Sequence, residues 1–230
     1  MKSVSRCNLS VLLLFFMAVF TSCSKDEESA PEPTSADFRI ADYLMVGETF
    51  WGVNQSGTPP YIMTFDADGK ATVYTLDGQR ETAYTVEGVR IILEDMGYFE
   101  VDADAESVVE WLVVGDLSEG RLIPRTDTSP LSGKTYAGQL MQWNLNGADN
   151  RVNYDNYRLT FHEDQVNELY TYQSGPYVIP ISQTWEYTPI GNIGGRGQDG
   201  ELHFLFYLDT DNRLIFWRWR LGVYNYYSSP

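Results

Sequence analysis

Three sets of residues in this sequence carry side chains that could do chemistry, and each set also has a structural use. The first is the pair of histidines, His162 and His203. Histidine exchanges protons near neutrality, but neither stands at the spacing of a known motif. No Gly-x-Ser-x-Gly elbow, His-Glu-x-x-His run or phosphate-binding glycine loop occurs in the chain. The second set is three runs that space carboxylates by two, DADG (66–69), DADAE (102–106) and DTD (209–211). An EF-hand loop needs a glycine at its sixth place and a glutamate at its twelfth, and none of the runs continues that way. Asp102, Asp104 and Glu106 are the best-spaced metal candidates; turn formation is the competing use of such residues, because Asp caps its own backbone.

The third set is aromatic. Trp143, Tyr170, Tyr172, Trp185, Tyr187, Trp217 and Trp219 crowd the C-terminal half, and rings with a flat apolar face and a polar edge stack on sugars or line an apolar cavity. Arg218 and Arg220 lie among them as groups for an anion, a partner or a nearby carboxylate. In RLIFWRWRLGVYNYY (213–227) the odd positions Ile215, Trp217, Trp219 and Leu221 share one strand face, and Leu214, Phe216, Arg218 and Arg220 share the other. The arginines argue that the odd face is the core, and core filling then competes with ligand contact for Trp217 and Trp219. Catalysis needs titratable groups converging in a pocket; this inventory points to a non-enzymatic protein without a cofactor.

Charge and cysteine usage narrow the class further. With 32 acidic against 16 basic residues and a net charge of −16, nucleic acid is excluded as a partner. Lys2 and Arg6 precede an apolar run from Leu9 to Phe20 that has the length of a secretory signal core and is too short to span a bilayer. Thr21 and Ser22 are small residues just before Cys23. The run FTSC resembles the lipobox of bacterial lipoproteins, which implies cleavage after residue 22 and acylation of Cys23. Two or three acyl chains anchor stably where one binds only marginally. Residues 23–36 carry Asp26, Glu27, Glu28 and Glu32 and no large apolar side chain, so they read as a flexible acidic tether. An acidic cluster after the cysteine resembles the surface-export signal of Bacteroidota lipoproteins; the alternative is a solvated linker at the periplasmic face. Cys7 leaves with the signal, so no thiol remains for disulfides or metal.

The remainder is internally repeated. GETFWG (47–52) answers GKTYAG (133–138), YIMTFDADGKATVYTL (61–76) lies over YRLTFHEDQVNELYTY (157–172) without a gap, YTVEG (84–88) answers YTPIG (187–191), and GRLI (120–123) answers NRLI (212–215). Four ordered blocks indicate a duplication, with one copy in 37–128, the other in 129–230, and the boundary in TDTSPLSG (126–133), where turn formers cluster.

Both copies alternate apolar and polar residues with period two, as in Tyr61, Met63, Phe65 and in Tyr157, Leu159, Phe161. ADFRIADYLMVG (36–47) admits a short helix or turn; everything else reads as hairpins, about seven or eight strands per copy. The expected class is all-β, two tandem small barrels or half-barrels, with β-sandwich domains as the alternative. The Gly-x-x-aromatic strand followed by TFDADGKATVYT and AYTVEGVRIIL resembles the lipocalin-like domains of Bacteroidota lipoproteins, and that resemblance implies barrels. The expectation is an outer-membrane lipoprotein, facing the exterior, whose aromatic second half binds a small apolar molecule or a glycan. The alternative is an accessory subunit of a surface protein complex, meeting its partner through strand edges or exposed aromatics.

Overall fold

The computed structural model describes residues 38–49, 60–102, 107–113, 117–144, 152–220 and 223–228. Cys23, Asp104 and Glu106 lie outside them, as do the side chains of Trp143 and Arg220. Among the described residues the protein is all-β apart from one 3-10 turn, Ile40–Asp42, at the place of the expected helix or turn. The first sheet is a meander of β1 (Tyr43–Thr49), β2 (Pro60–Phe65), β3 (Lys70–Tyr74), β4 (Gln79–Glu87), β5 (Arg90–Leu93), β6 (Gly97–Asp102), β7 (Ser107–Val113) and β8 (Leu117–Pro124). Strand β8 returns to pair with β1, from Tyr43 with Pro124 to Thr49 with Leu117, and the sheet closes into a barrel.

Period two decides what goes inside. Tyr61, Met63 and Phe65 of β2 join Met45, Val73, Ile91, Phe99 and Leu122 in the barrel interior, while Ile62, on the opposite face, joins a different cluster. Large side chains fill this barrel: Tyr61, Phe65, Phe99 and Met45 are all fully buried. Burial holds the Tyr61 phenol far above its ordinary pKa, so it stays neutral.

The second sheet comprises β9 (Thr135–Asn144), β10 (Val152–Phe161), β11 (Gln165–Ser174), β12 (Tyr177–Glu186), β13 (Thr188–Ile190), β14 (Gly194–Asp199), β15 (Leu202–Leu208), β16 (Leu214–Arg220) and β17 (Val223–Ser228). Their order across the sheet is β12-β11-β10-β9-β17-β16-β15-β14-β13. Each neighbour pair is antiparallel. The all-β expectation therefore holds, as one closed barrel followed by one curled sheet.

The repeated blocks are placed unequally. YIMTF and YRLTF each form the strand between the first and third strands of their sheet. GRLI ends the strand that pairs with β1, whereas NRLI opens β16, and it is β17 that pairs with β9. The turn chemistry does repeat. Asp66 Oδ1 accepts from the backbone N–H of Asp68 and Lys70, and Asp209 Oδ1 accepts from Asp211 and Arg213. The left-handed residue falls at Gly69 in one turn and Asn212 in the other. These aspartates are committed to hairpin turns.

The chain from Ser35 to Pro230 forms one compact unit. Leu44, Val46, Ile62, Leu76 and Ile123 from the first sheet share a single apolar cluster with Ile193, Leu205 and Leu208 from the second. Glycines permit the approach: a Cβ at Gly194 would fall 2.8 Å from Ile62 Cδ1 and one at Gly191 2.6 Å from Leu44 Cδ1. Arg196 Nε donates to Thr75 O at 3.0 Å and Asn192 Nδ2 donates to Thr126 O at 2.7 Å, so polar bonds frame the apolar contact.

A second close approach lets the curled sheet meet itself. A Cβ at Gly197 of β14 would lie 2.5 Å from the carbonyl oxygen of Glu186 in β12 and 2.0 Å from the Phe204 ring. The end strand β12 thus reaches β14 across a seam that only glycine fits. Gly197→Ala should destabilise the protein by about 1–3 kcal/mol through overpacking, read as a lower urea midpoint. An unchanged midpoint would show that the seam is looser than this.

Candidate functional site

The alternation of β16 sets up the interior of the second sheet. Leu214 and Phe216 are fully buried and stack with β15, Phe204 on Phe216 at 5.8 Å and Phe206 on Phe216 at 6.3 Å. Phe161 of β10 meets Phe206 at 4.9 Å, and Trp185 of β12 meets Phe204 at 5.7 Å. This even face is the inner one. The expectation that the odd face forms the core, with the arginines outside, is overturned: Arg218 is only 9% exposed and lies on the same face as Phe216. Trp217 on the odd face is buried as well, in the cluster that also holds Leu44 and Ile62. Both faces are covered, so polarity alone could not tell them apart.

Arg218 turns inward because a carboxylate waits there. Its Nη1 donates to Oε1 of Glu168, a residue of β11 with 0% exposure. In the sheet order β10, β9 and β17 stand between β11 and β16, so this pair spans the interior of the curl. The guanidinium carbon also sits 5.8 Å from the ring centroids of both Tyr170 and Trp185. Cation–π contact of this kind strengthens when desolvated.

The pair is incompletely satisfied. Glu168 Oε2 and the Tyr227 hydroxyl are buried without a well-formed hydrogen bond, and the buried Tyr157 hydroxyl lies close enough to interact with the Glu168 carboxylate. Burial raises Glu168 above the ordinary carboxylate value of 4.5, with Arg218 and Tyr157 opposing the rise. Arg218 stays protonated: burial lowers its pKa, but Glu168, Tyr157 and Tyr170 together outweigh that and raise it. Burial likewise pushes Tyr227 up to about 12. The arrangement holds a charge pair in a phenolic, low-dielectric interior and offers no activated nucleophile.

The aromatic ligand candidates divide. Trp185, Tyr187 and Trp217 are packed in the apolar cluster, and Tyr187 also donates its hydroxyl to His162 O at 2.9 Å. Tyr170 and Trp219 are half-buried against that cluster, Trp219 beside His203 with ring centroids 5.5 Å apart. Tyr172 is exposed. Asp102 is exposed at the end of β6. Among the described residues no three His, Cys, Asp or Glu side chains converge to hold a metal.

Sequence reasoning missed the most exposed apolar element. Strand β12 begins after the Gly175–Pro176 turn and is exposed on both faces from Tyr177 to Pro180, with Tyr177 at 71% and Val178 at 66%. Ile179 and its cross-strand neighbour Tyr172 extend the patch, and Leu169 is exposed on the opposite face of the hairpin. The available signal was charge: no charged residue occurs between Glu168 and Glu186 in a chain that is 21% charged. Along its second half the edge of β12 borders a cleft of about 570 Å³, lined by Gln183, Thr184 and Trp185 on one side and Asp199, Gly200, Glu201 and Leu202 on the other. A smaller apolar cleft of about 330 Å³ lies where Ile123, Pro124 and Pro130 meet Ile193 and Leu208.

The charge pair yields a signed prediction. A carboxyl whose folded-state pKa is raised binds its proton more tightly in the native state, so its contribution is largest below pH 4.5 and falls as pH rises through the folded pKa. Relative to Glu168→Gln, wild-type stability should therefore decline as pH rises above 4.5. Arg218→Met, which strands the carboxylate, should cost about 3–5 kcal/mol at neutral pH. Urea titrations across this range decide it; a wild-type advantage that grows with pH would contradict the assignment.

No protein-family model matches the chain, and no curated protein or solved structure matches it significantly. The functional reading rests on this geometry.

Proposed function

We propose that the protein is a lipid-anchored accessory subunit of a cell-surface protein complex. Acyl chains on Cys23 hold it at the outer membrane, the acidic residues 24–36 space it from the bilayer, and it faces the exterior. It engages its partner through β12 and the turn that precedes it. The observation that carries this reading is the contrast between two interiors packed with their own aromatic side chains and the uncharged first part of β12, exposed on both faces from Tyr177 to Pro180. Exposed apolar patches of this kind mark interaction surfaces on soluble domains, and the edge lacks the lysines with which free edges are usually blunted.

The competing role, uptake of a small apolar molecule or a glycan by the second half, needs rings with accessible faces. Trp185, Tyr187 and Trp217 offer little, since all three are buried in the apolar cluster and Trp185 shows only an edge to the cleft beside β12. A small-molecule receptor also devotes its interior to the ligand, and here Phe161, Phe204, Phe206 and Phe216 occupy that space. The weight therefore falls on the accessory role.

A photo-crosslinking residue at Val178, in intact cells, should give one defined protein adduct. The same residue at Arg80, exposed on β4 of the other sheet, should give none. Cys23→Ala should abolish fatty-acid labelling and release the protein from membranes, and the adduct should disappear with it. Equal adducts from both positions, or persistence of the adduct on released protein, would contradict the reading.

A further inference from the structure

The hydrogen-bonding parity of β12 follows from its turn. Ser174 pairs with Tyr177 across the two-residue Gly175–Pro176 loop, and Gly175 has φ of +60°. Glycine at the first central position suits the II′ turn of a tight hairpin, whose flanking pair exchanges hydrogen bonds. Alternation then makes Tyr172 with Ile179 and Tyr170 with Ile181 bonded pairs, and leaves Gln173 with Val178, Thr171 with Pro180 and Leu169 with Ser182 non-bonded. The backbone groups of Val178, Pro180, Ser182 and Thr184 consequently point away from β11. Pro180 sits where its missing N–H costs the hairpin nothing, as proline on an edge strand must.

The outer edge of β12 thus presents N–H donors at Val178, Ser182 and Thr184 and carbonyl acceptors at Val178, Pro180, Ser182 and Thr184. It is one of the two end strands of its sheet, the other being the three-residue β13. Its second half runs into the cleft of about 570 Å³ whose far wall carries Asp199 and Glu201. Both carboxylates are exposed, and neither forms an ion pair among the described residues. A second copy is a poor occupant, because each chain carries a net charge of −16.

We infer that the outer edge of β12 takes up an extended segment of a partner protein as an added strand, with apolar side chains beside Tyr177–Ile179 and lysine or arginine where it meets Asp199 and Glu201. The inference rests on the accessory-subunit reading and names the chemistry of the partner. Main-chain bonds to Val178 and Ser182 give the contact its affinity, and the acidic wall gives it direction and salt dependence.

The probes are fluorescent peptides of about ten residues, the length of a strand, alternating valine and threonine, with two lysines at one end or the other. Anisotropy with the full chain in detergent should show one lysine orientation binding, more weakly at high salt. Replacing the lysines by aspartates should weaken it about tenfold or more. Ser182→Pro removes one edge donor while sparing the hairpin and should cost about fivefold, the worth of one hydrogen bond. Equal binding by a peptide with alternate amides N-methylated, or no effect of Ser182→Pro, overturns strand addition. So does binding of the Cys23→Ala protein to phosphatidylethanolamine–phosphatidylglycerol vesicles that Val178→Asp abolishes while every peptide fails. A cellular adduct at Val178 with no peptide binding leaves the accessory role standing and overturns strand addition; peptide binding with no adduct supports the edge chemistry and removes the accessory role.

Discussion

A sheet that rolls up without a final row of hydrogen bonds must be held rolled by what lies inside it. The second sheet is in that position, because its end strand β12 meets β14, the last strand but one at the other end, at Glu186 and Gly197 by contact and outside the hydrogen-bonded strand order. What holds the curl is a stack of phenylalanines from three strands, capped by one charge pair that reaches from β16 across to β11. A buried ion pair is a weak source of net stability, yet breaking it leaves an uncompensated charge in a low-dielectric interior. Glu168 and Arg218 therefore act as a latch. Each is tolerable inside only while the other is in place, and the place is set by the curl.

The same constraint explains the exterior. A seam closed by contact leaves the outer edge of β12 without a strand beside it, and the hairpin that carries it continues past the part of the sheet that packs the core. An interior filled by its own rings leaves no room for a guest, so whatever the protein engages must be met outside. The first sheet contributes by bracing. Its outward residues Leu44, Val46 and Ile62 cover the outer face of the second sheet near β14 and β15, and the uncovered surface is on the far strands of the order, β11 and β12.

Much of this was legible in the sequence. Period two in YIMTF and YRLTF located equivalent strands, and DADG and DTDN announced turns that share one aspartate-capped geometry. Turn and strand signals are local, which is why they survived. The inner face of β16 was not legible: both faces are covered, so alternation gave a choice and the arginines pointed the wrong way. Arg218 is explained by a carboxylate fifty residues earlier, on a strand that only the curl brings near. The packing role of Trp185 and Tyr187 was hidden for the same reason, since a ring that fills a core and a ring that holds a ligand look alike in one dimension. The stretch of β12 without charge was plain in the sequence, but its meaning depends on its being an end strand.

The central claim is that the interiors are closed by their own side chains and that the outer edge of β12 is open to a partner strand. Residue-resolved amide hydrogen exchange on the isolated protein tests it most directly. The account predicts fast exchange at Val178 and Ser182, whose N–H groups face outward, beside slow exchange at Ile179 and Ile181, bonded to β11, and at Phe204 and Phe206 within the core. Protection of Val178 and Ser182 in the isolated protein, or fast exchange at Phe204 and Phe206, would contradict it.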